Sequence, residues 1–141
     1  QDKEEQLNQL KLKSNHQKDK SQTSKFHNQS ILDFIPKQRY DLVLIKGVLI
    51  HINPDELKNV YEKLVSSTSR YLMVAEYYNP SPTAVTYRGH KDRLFKRDFA
   101  GEILDQFPAL RLVDYGFVYH RDPNFPQDDI TWSLLELQNA R

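Results

Sequence analysis

A chain of 141 residues is the size of one domain or part of one. It has no cysteine, which excludes a disulfide scaffold, a thiolate metal site and a Cys nucleophile. Twenty Lys and Arg against 19 Asp and Glu leave a net charge of +1, which gives no global field to recruit nucleic acid or an anionic membrane. No apolar run approaches the roughly 20 residues that span a bilayer. The start, Gln1-Asp2-Lys3-Glu4-Glu5, lacks the apolar core of a signal peptide. The default expectation is a soluble cytoplasmic protein.

Residues 1–25 hold only three large apolar side chains, Leu7, Leu10 and Leu12. Leu7 and Leu10 form one weak helical stripe, and 14–25 reads as loop or disorder. This separates a polar helical or disordered segment, 1–25, from an α/β domain, 26–141. Within the latter, Tyr40-Asp41-Leu42-Val43-Leu44-Ile45 is a continuous apolar run that predicts a strand buried on both faces. Asn53-Pro54-Asp55-Glu56 predicts a helix start, with Asn53 as N-cap, Pro54 at the first position and Glu56 as a capping-box acid. Leu57, Val60, Tyr61 and Leu64 then mark one helical face. Tyr71-Leu72-Met73-Val74-Ala75 predicts the next buried strand, and Pro80 and Pro82 make the stretch after it a loop. A second helix fits 97–107, and 110–119 and 130–137 read as closing strands joined by the long connection 120–129. This order implies an α/β layer fold.

In open α/β sheets ligands bind beyond the carboxyl ends of the strands. That rule selects Lys46-Gly47 with Val48-Leu49-Ile50-His51, and Glu76-Tyr77-Tyr78-Asn79. Gly47 offers close approach to a ligand, or simply a positive φ. Glu76 is a candidate catalytic base if burial raises its pKa; equally, it caps a loop or pairs with Arg88. His51 takes a proton, contacts a cofactor, or is hydrogen-bonded within its turn. A basic run from Tyr87 to Asp98, with Arg88, His90, Lys91, Arg93, Lys96 and Arg97, suits an anionic substrate such as an acidic sugar or nucleotide sugar; a solvated loop is the plainer reading. His51, His90 and His120 are dispersed without metal-ligand spacing. Asp128 and Asp129 read as loop charges. G-x-S-x-G, Walker and G-x-G-x-x-G loops are absent from the sequence.

Ser30-Ile31-Leu32-Asp33-Phe34 with the run from Tyr40 to Pro54 resembles the middle of a class I S-adenosylmethionine-dependent methyltransferase. The longer motifs are Lys46-Gly47-Val48-Leu49-Ile50-His51-Ile52-Asn53-Pro54, Ala75-Glu76-Tyr77-Tyr78-Asn79-Pro80, Tyr87-Arg88-Gly89-His90, Leu94-Phe95-Lys96-Arg97-Asp98-Phe99-Ala100-Gly101-Glu102, Asp114-Tyr115-Gly116-Phe117 and Asp128-Asp129-Ile130-Thr131-Trp132. They resemble the methylases associated with pseudaminic acid biosynthesis. The resemblance implies a Rossmann-like sheet with an antiparallel last strand and flanking helices, binding S-adenosylmethionine. It implies Ser30 and Ile31 on the adenine side, Lys46 and Gly47 beside the methionine part, and His51 in the turn closing over it. Tyr77, Tyr78 and Asn79, with Arg88, His90, Lys96 and Arg97, would meet an acidic sugar acceptor.

That family begins with a strand, a Gly-rich loop and a helix, then a second strand ending in an acid for the ribose hydroxyls. Here no glycine precedes Gly47 and no apolar strand run precedes Ile31. The expectation is therefore a partial sheet corresponding to the carboxyl-terminal part, with a partner chain or dimer covering its bare edge. The alternative is a non-catalytic remnant that binds an acidic sugar or a protein.

Overall fold

A computed structural model describes residues 3–16, 23–87 and 89–138, with the side chains of 10–16, 87 and 90–93 outside the description. The chain forms two units, Gln1–Phe34 and Ile35–Arg141. The first contains helix α1, Lys3–His16, with Glu4 and Glu5 in its first turn, where acidic groups complement the helix dipole. A tight turn follows at 30–34, in which Asp33 and Phe34 N–H both donate to the Ser30 carbonyl at 3.1 Å.

The second unit runs β1 (Tyr40–Lys46), α2 (Leu57–Ser66), β2 (Thr68–Glu76), β3 (Thr83–Tyr87), β4 (His90–Lys96), α3 (Phe99–Gln106), β5 (Leu110–Val118) and β6 (Ile130–Leu137). Four strands form one sheet in the order β1-β2-β6-β5. β1 and β2 are parallel, with Ile45 beside Val74 and Lys46 beside Ala75. β6 is antiparallel to both β2 and β5. The mixed sheet, flanking helices and antiparallel last strand match the sequence expectation.

The turn into α2 forms as its residues dictate. Pro54–Glu56 is a 3-10 turn, and the Asn53 side chain accepts from Asp55 N–H at 3.0 Å. The Glu56 side chain makes no cap hydrogen bond at the start of α2. Replacing Asn53 by Ala is expected to cost about 1 kcal/mol, the usual worth of such a cap, read as a lowered thermal midpoint. Leu57, Val60, Tyr61 and Leu64 are all buried, the face that their spacing marks. α2 and α3 pack on β2, where Leu72, Val74 and Glu76 are buried.

Helix α1 runs to His16, past the expected loop start at 14, and further expectations differ from the structure. The apolar run of β1 predicts burial on both faces, yet Ile45 is buried while Leu42 and Leu44 are 55% and 58% exposed. β1 is an end strand, the bare edge expected of a partial sheet, and among the described residues of this unit α2 packs on β2 while α3 packs on β2 and β5. Pro80 and Pro82 predict a loop through the basic run, yet Thr83 onward is a hairpin with Val85 opposite Leu94 and Ala84 opposite Phe95. The prolines precede the hairpin and remove no ladder N–H, β-branched residues recur at Thr83, Val85 and Thr86, and Gly89 supplies φ +77 at the turn. Finally, α3 begins at Phe99 rather than at 97, because the Asp98 carboxylate captures Gly101 N–H at 2.9 Å and so caps the helix.

Candidate functional site

Parallel pairing sets the ends of β1 and β2 side by side. The antiparallel β6 starts where those strands end, with Thr131 opposite Glu76. The stretches 46–51, 75–77 and 128–130 therefore meet. They enclose a cleft of about 260 Å³, lined by Lys46, Gly47, His51, Glu76 and Tyr77 from the two predicted clusters. Ile50, Ala75, Asp128 and Ile130 complete it. The structure thus brings together the two strand ends that sequence reasoning selected by one rule.

Gly47 has φ +63, a region that side-chain-bearing residues rarely enter, and a Cβ there would meet nothing within 4 Å. The positive-φ reading of Gly47 holds, and the space beside it is open. Gly47 N–H donates to the Ala75 carbonyl at 3.1 Å and so continues the β1–β2 pairing.

Glu76 is the most constrained group. It is 3% exposed, and its Oε1 accepts Val48 N–H and Leu49 N–H, each at 3.0 Å. These are the leading donors of the 3-10 turn Leu49–His51, which would otherwise lack acceptors. The loop-capping reading of Glu76 is therefore realised. Its Oε2 is buried with no hydrogen-bond partner among the described residues. Burial pushes its carboxyl above the usual range; the N–H groups of Leu49, Val48 and Ile50, and the charge of His51, pull the other way.

The remaining candidates have distinct placements. The Lys46 ammonium donates to Gln127 Oε1 at 3.0 Å. His51 lies on the cleft wall, its own N–H donating to the Val48 carbonyl at 3.0 Å. Tyr77 carries the Lys96 ammonium over its ring, 5.4 Å from the centroid. Tyr78 lines a second cavity of about 20 Å³, with Glu76, Arg97, Thr131 and Ser133. Asn79 donates to Thr83 Oγ1 at 3.0 Å and to the Ser81 carbonyl, bonds that shape its own loop. Arg97 pairs with Glu102 at 2.7 Å. Arg88 lies outside the described residues, and the side chain of His90, on β4, does too. Ser30 and Ile31 belong to the first unit.

Sequence reasoning missed Asp128 as a cleft residue. The signal was present in the expected antiparallel last strand, because such a strand begins at the carboxyl ends of its parallel neighbours and carries the preceding loop with it. Asp129 has a structural place instead: at φ 56, its carboxylate accepts His120 N–H at 3.0 Å and lies 2.9 Å from His120 Nδ1. That contact with His120 holds the Asp129 carboxyl below its usual range.

No protein-family model matches the sequence, and no curated protein does. Solved structures do. Magnesium protoporphyrin IX methyltransferase from Synechocystis PCC 6803, with bound SAM, superposes with a TM-score of 0.66 at 15% identity, over 94% of this chain and 54% of that one. The 1,6-didemethyltoxoflavin-N1-methyltransferase of Burkholderia thailandensis, with bound 1,6-didemethyltoxoflavin and S-adenosylhomocysteine, gives 0.59 at 13%, over 77% and 48%. A SAM-dependent methyltransferase of Leishmania major gives 0.53 at 16%, over 78% and 43%. At these identities the likeness is one of fold. The chain has the α/β fold of SAM-dependent methyltransferases and spans about half the length of these proteins.

Proposed function

We propose that the chain forms the acceptor-side part of an S-adenosylmethionine-dependent methyltransferase. The observation that carries this reading is the cleft at the carboxyl ends of β1 and β2, walled by Lys46, Gly47, His51, Glu76 and Tyr77. It lies in a sheet that superposes on methyltransferases crystallised with the cofactor or its demethylated product.

The residues fit part of that cofactor. At about 260 Å³ the cleft is smaller than the roughly 300–1,000 Å³ of sites that enclose a drug-sized ligand, so the reading places the methionine end here. Gly47 leaves room for close approach, and the buried Glu76 Oε2 offers an unused acceptor. Bound there, the cofactor would supply an electrophilic methyl group to an oxygen or nitrogen nucleophile. The chain's own contribution is alignment. Glu76 fixes the 48–49 turn, Gln127 fixes Lys46, and Lys96 covers the ring of Tyr77.

For the acceptor, the motif resemblance and the basic run 88–97 favour an acidic sugar or nucleotide sugar, as in the pseudaminic acid pathway. Because Arg97 is held by Glu102, this reading assigns the acceptor's negative charge to Lys96 and the hairpin's basic residues.

Calorimetric titration with S-adenosylmethionine and S-adenosylhomocysteine tests the reading. Saturable binding is expected, at least tenfold weaker than in a chain carrying a Gly-rich loop, a difference of about 1.4 kcal/mol. Gly47→Val places a side chain in the cleft at a positive φ and is expected to weaken binding at least tenfold. No saturable heat from a folded wild-type chain would overturn the cofactor reading.

A further inference from the structure

Glu76, which lines the cleft, carries a polar atom that no other described residue engages. Glu76 is only 3% exposed, Oε1 is engaged by two backbone donors, and Oε2 has no partner among the described residues. A buried acceptor without a donor carries a desolvation cost that native structures rarely leave unmet. The surrounding chemistry says which donor fits. The cleft carries a second carboxylate, Asp128, against one ammonium, Lys46, which already donates to Gln127. Two carboxylates, Glu76 and Asp128, share the lining with Lys46 and His51, and Glu76 Oε2 is left without a donor among the described residues. A ligand carboxylate or phosphate would be repelled there, whereas a positively charged group would be stabilised by a carboxylate within a low-dielectric wall.

We propose that Glu76 is the binding residue for a cationic group of the ligand, received at Oε2, while Oε1 holds the 48–49 turn in place. This rests on the cofactor reading for the identity of the ligand but not for the chemistry of the site. S-adenosylmethionine has two such groups, its α-ammonium and its sulfonium. S-adenosylhomocysteine keeps only the ammonium, and 5′-methylthioadenosine has neither.

The experiment is calorimetry of wild type and Glu76→Gln with these three ligands and with trimethylsulfonium. E76Q preserves side-chain volume and the Oε1 acceptor, and hydrogen exchange at the Val48 and Leu49 amides checks that the turn survives. Glu76→Asp, which withdraws the carboxylate by one methylene, is the second variant and is expected to give the same ranking.

A tenfold or larger loss in E76Q for S-adenosylmethionine alone supports the site and identifies the sulfonium. An equal loss for S-adenosylmethionine and S-adenosylhomocysteine, with 5′-methylthioadenosine unchanged, supports it and identifies the ammonium. Unchanged affinities, or the same loss for all three, overturn the cation site and leave the cofactor reading standing. Wild type that binds trimethylsulfonium through Glu76 but none of the three nucleosides keeps the site and overturns the cofactor reading. Binding of none of the four probes overturns both.

Discussion

Truncating Glu76 to alanine is expected to destabilise the chain by about 2–5 kcal/mol. Two costs combine. Val48 and Leu49 N–H lose their acceptor, at about 1–3 kcal/mol for a buried donor left unmade. Removing a buried side chain also leaves a cavity. The effect should be local before it is global, with faster hydrogen exchange across 47–51 at temperatures where α2 stays protected. Glu76→Gln, which keeps the Oε1 acceptor, should cost far less in thermal denaturation. Equal losses in the two variants would contradict the role of Glu76 Oε1 in holding the 48–49 turn.

The same pair of proteins gives a pH signature. Burial raises the Glu76 carboxyl in the folded chain above its ordinary value near 4.5. The folded state then binds the proton more tightly than the unfolded state. This contribution is fully present below the unfolded value and is lost as pH rises through the raised folded value. Wild type should therefore lose stability relative to E76Q across that window. The titratable groups lining cavities with Glu76 are Lys46, His51, Tyr77, Tyr78, Arg97, Asp98 and Asp128, all retained in E76Q. Glu136 has the opposite sign. Arg111, with Arg70, holds its carboxyl below the usual range, so its contribution is lost as pH falls and cancels between the two proteins.

The second large effect is expected at Tyr61. Its ring is fully buried, and its hydroxyl donates to Glu102 Oε1 at 3.1 Å, while Arg97 takes Glu102 Oε2 at 2.7 Å. One phenol thus joins α2 to α3 and to the junction after the hairpin. Tyr61→Ala should cost about 3–5 kcal/mol, as for other large aromatic truncations. Tyr61→Phe should cost only about 1 kcal/mol, the net worth of one hydrogen bond. Burial, then the Glu102 charge, pushes the phenol far above its ordinary range, so it remains a donor at neutral pH. Urea denaturation of the two variants separates ring from hydroxyl; a Phe variant as unstable as Ala would place the stability in the network rather than in packing.

Local chemistry made much of this legible in the sequence. The Asn53-Pro54 start, the face of Leu57, Val60, Tyr61 and Leu64, and the β2 run are decided by residues within a few positions of one another. The choice of both strand-end clusters follows from one rule about where parallel strands place ligands. The exposure of Leu42 and Leu44 was hidden in the apolar run itself, which predicts burial, and legible only in the bare edge expected of a partial sheet. The hairpin was hidden by two prolines that stand outside it. The role of Asp128 depended on strand order, with β6 inserted between β2 and β5. The fates of Arg97 and Asn79 depended on partners, Glu102 and Thr83, that the sequence does not single out.

The central claim is that the ligand site of this fold lies where β1, β2 and the start of β6 converge. Amide chemical-shift mapping of the isotopically labelled chain with S-adenosylmethionine tests it most directly. The largest shifts are expected on Gly47, Val48, Leu49, His51, Tyr77 and Asp128, with α2 and the hydrogen-bonded edge at Arg111 and Glu136 unmoved. Shifts centred elsewhere, or none at saturating ligand, would contradict it.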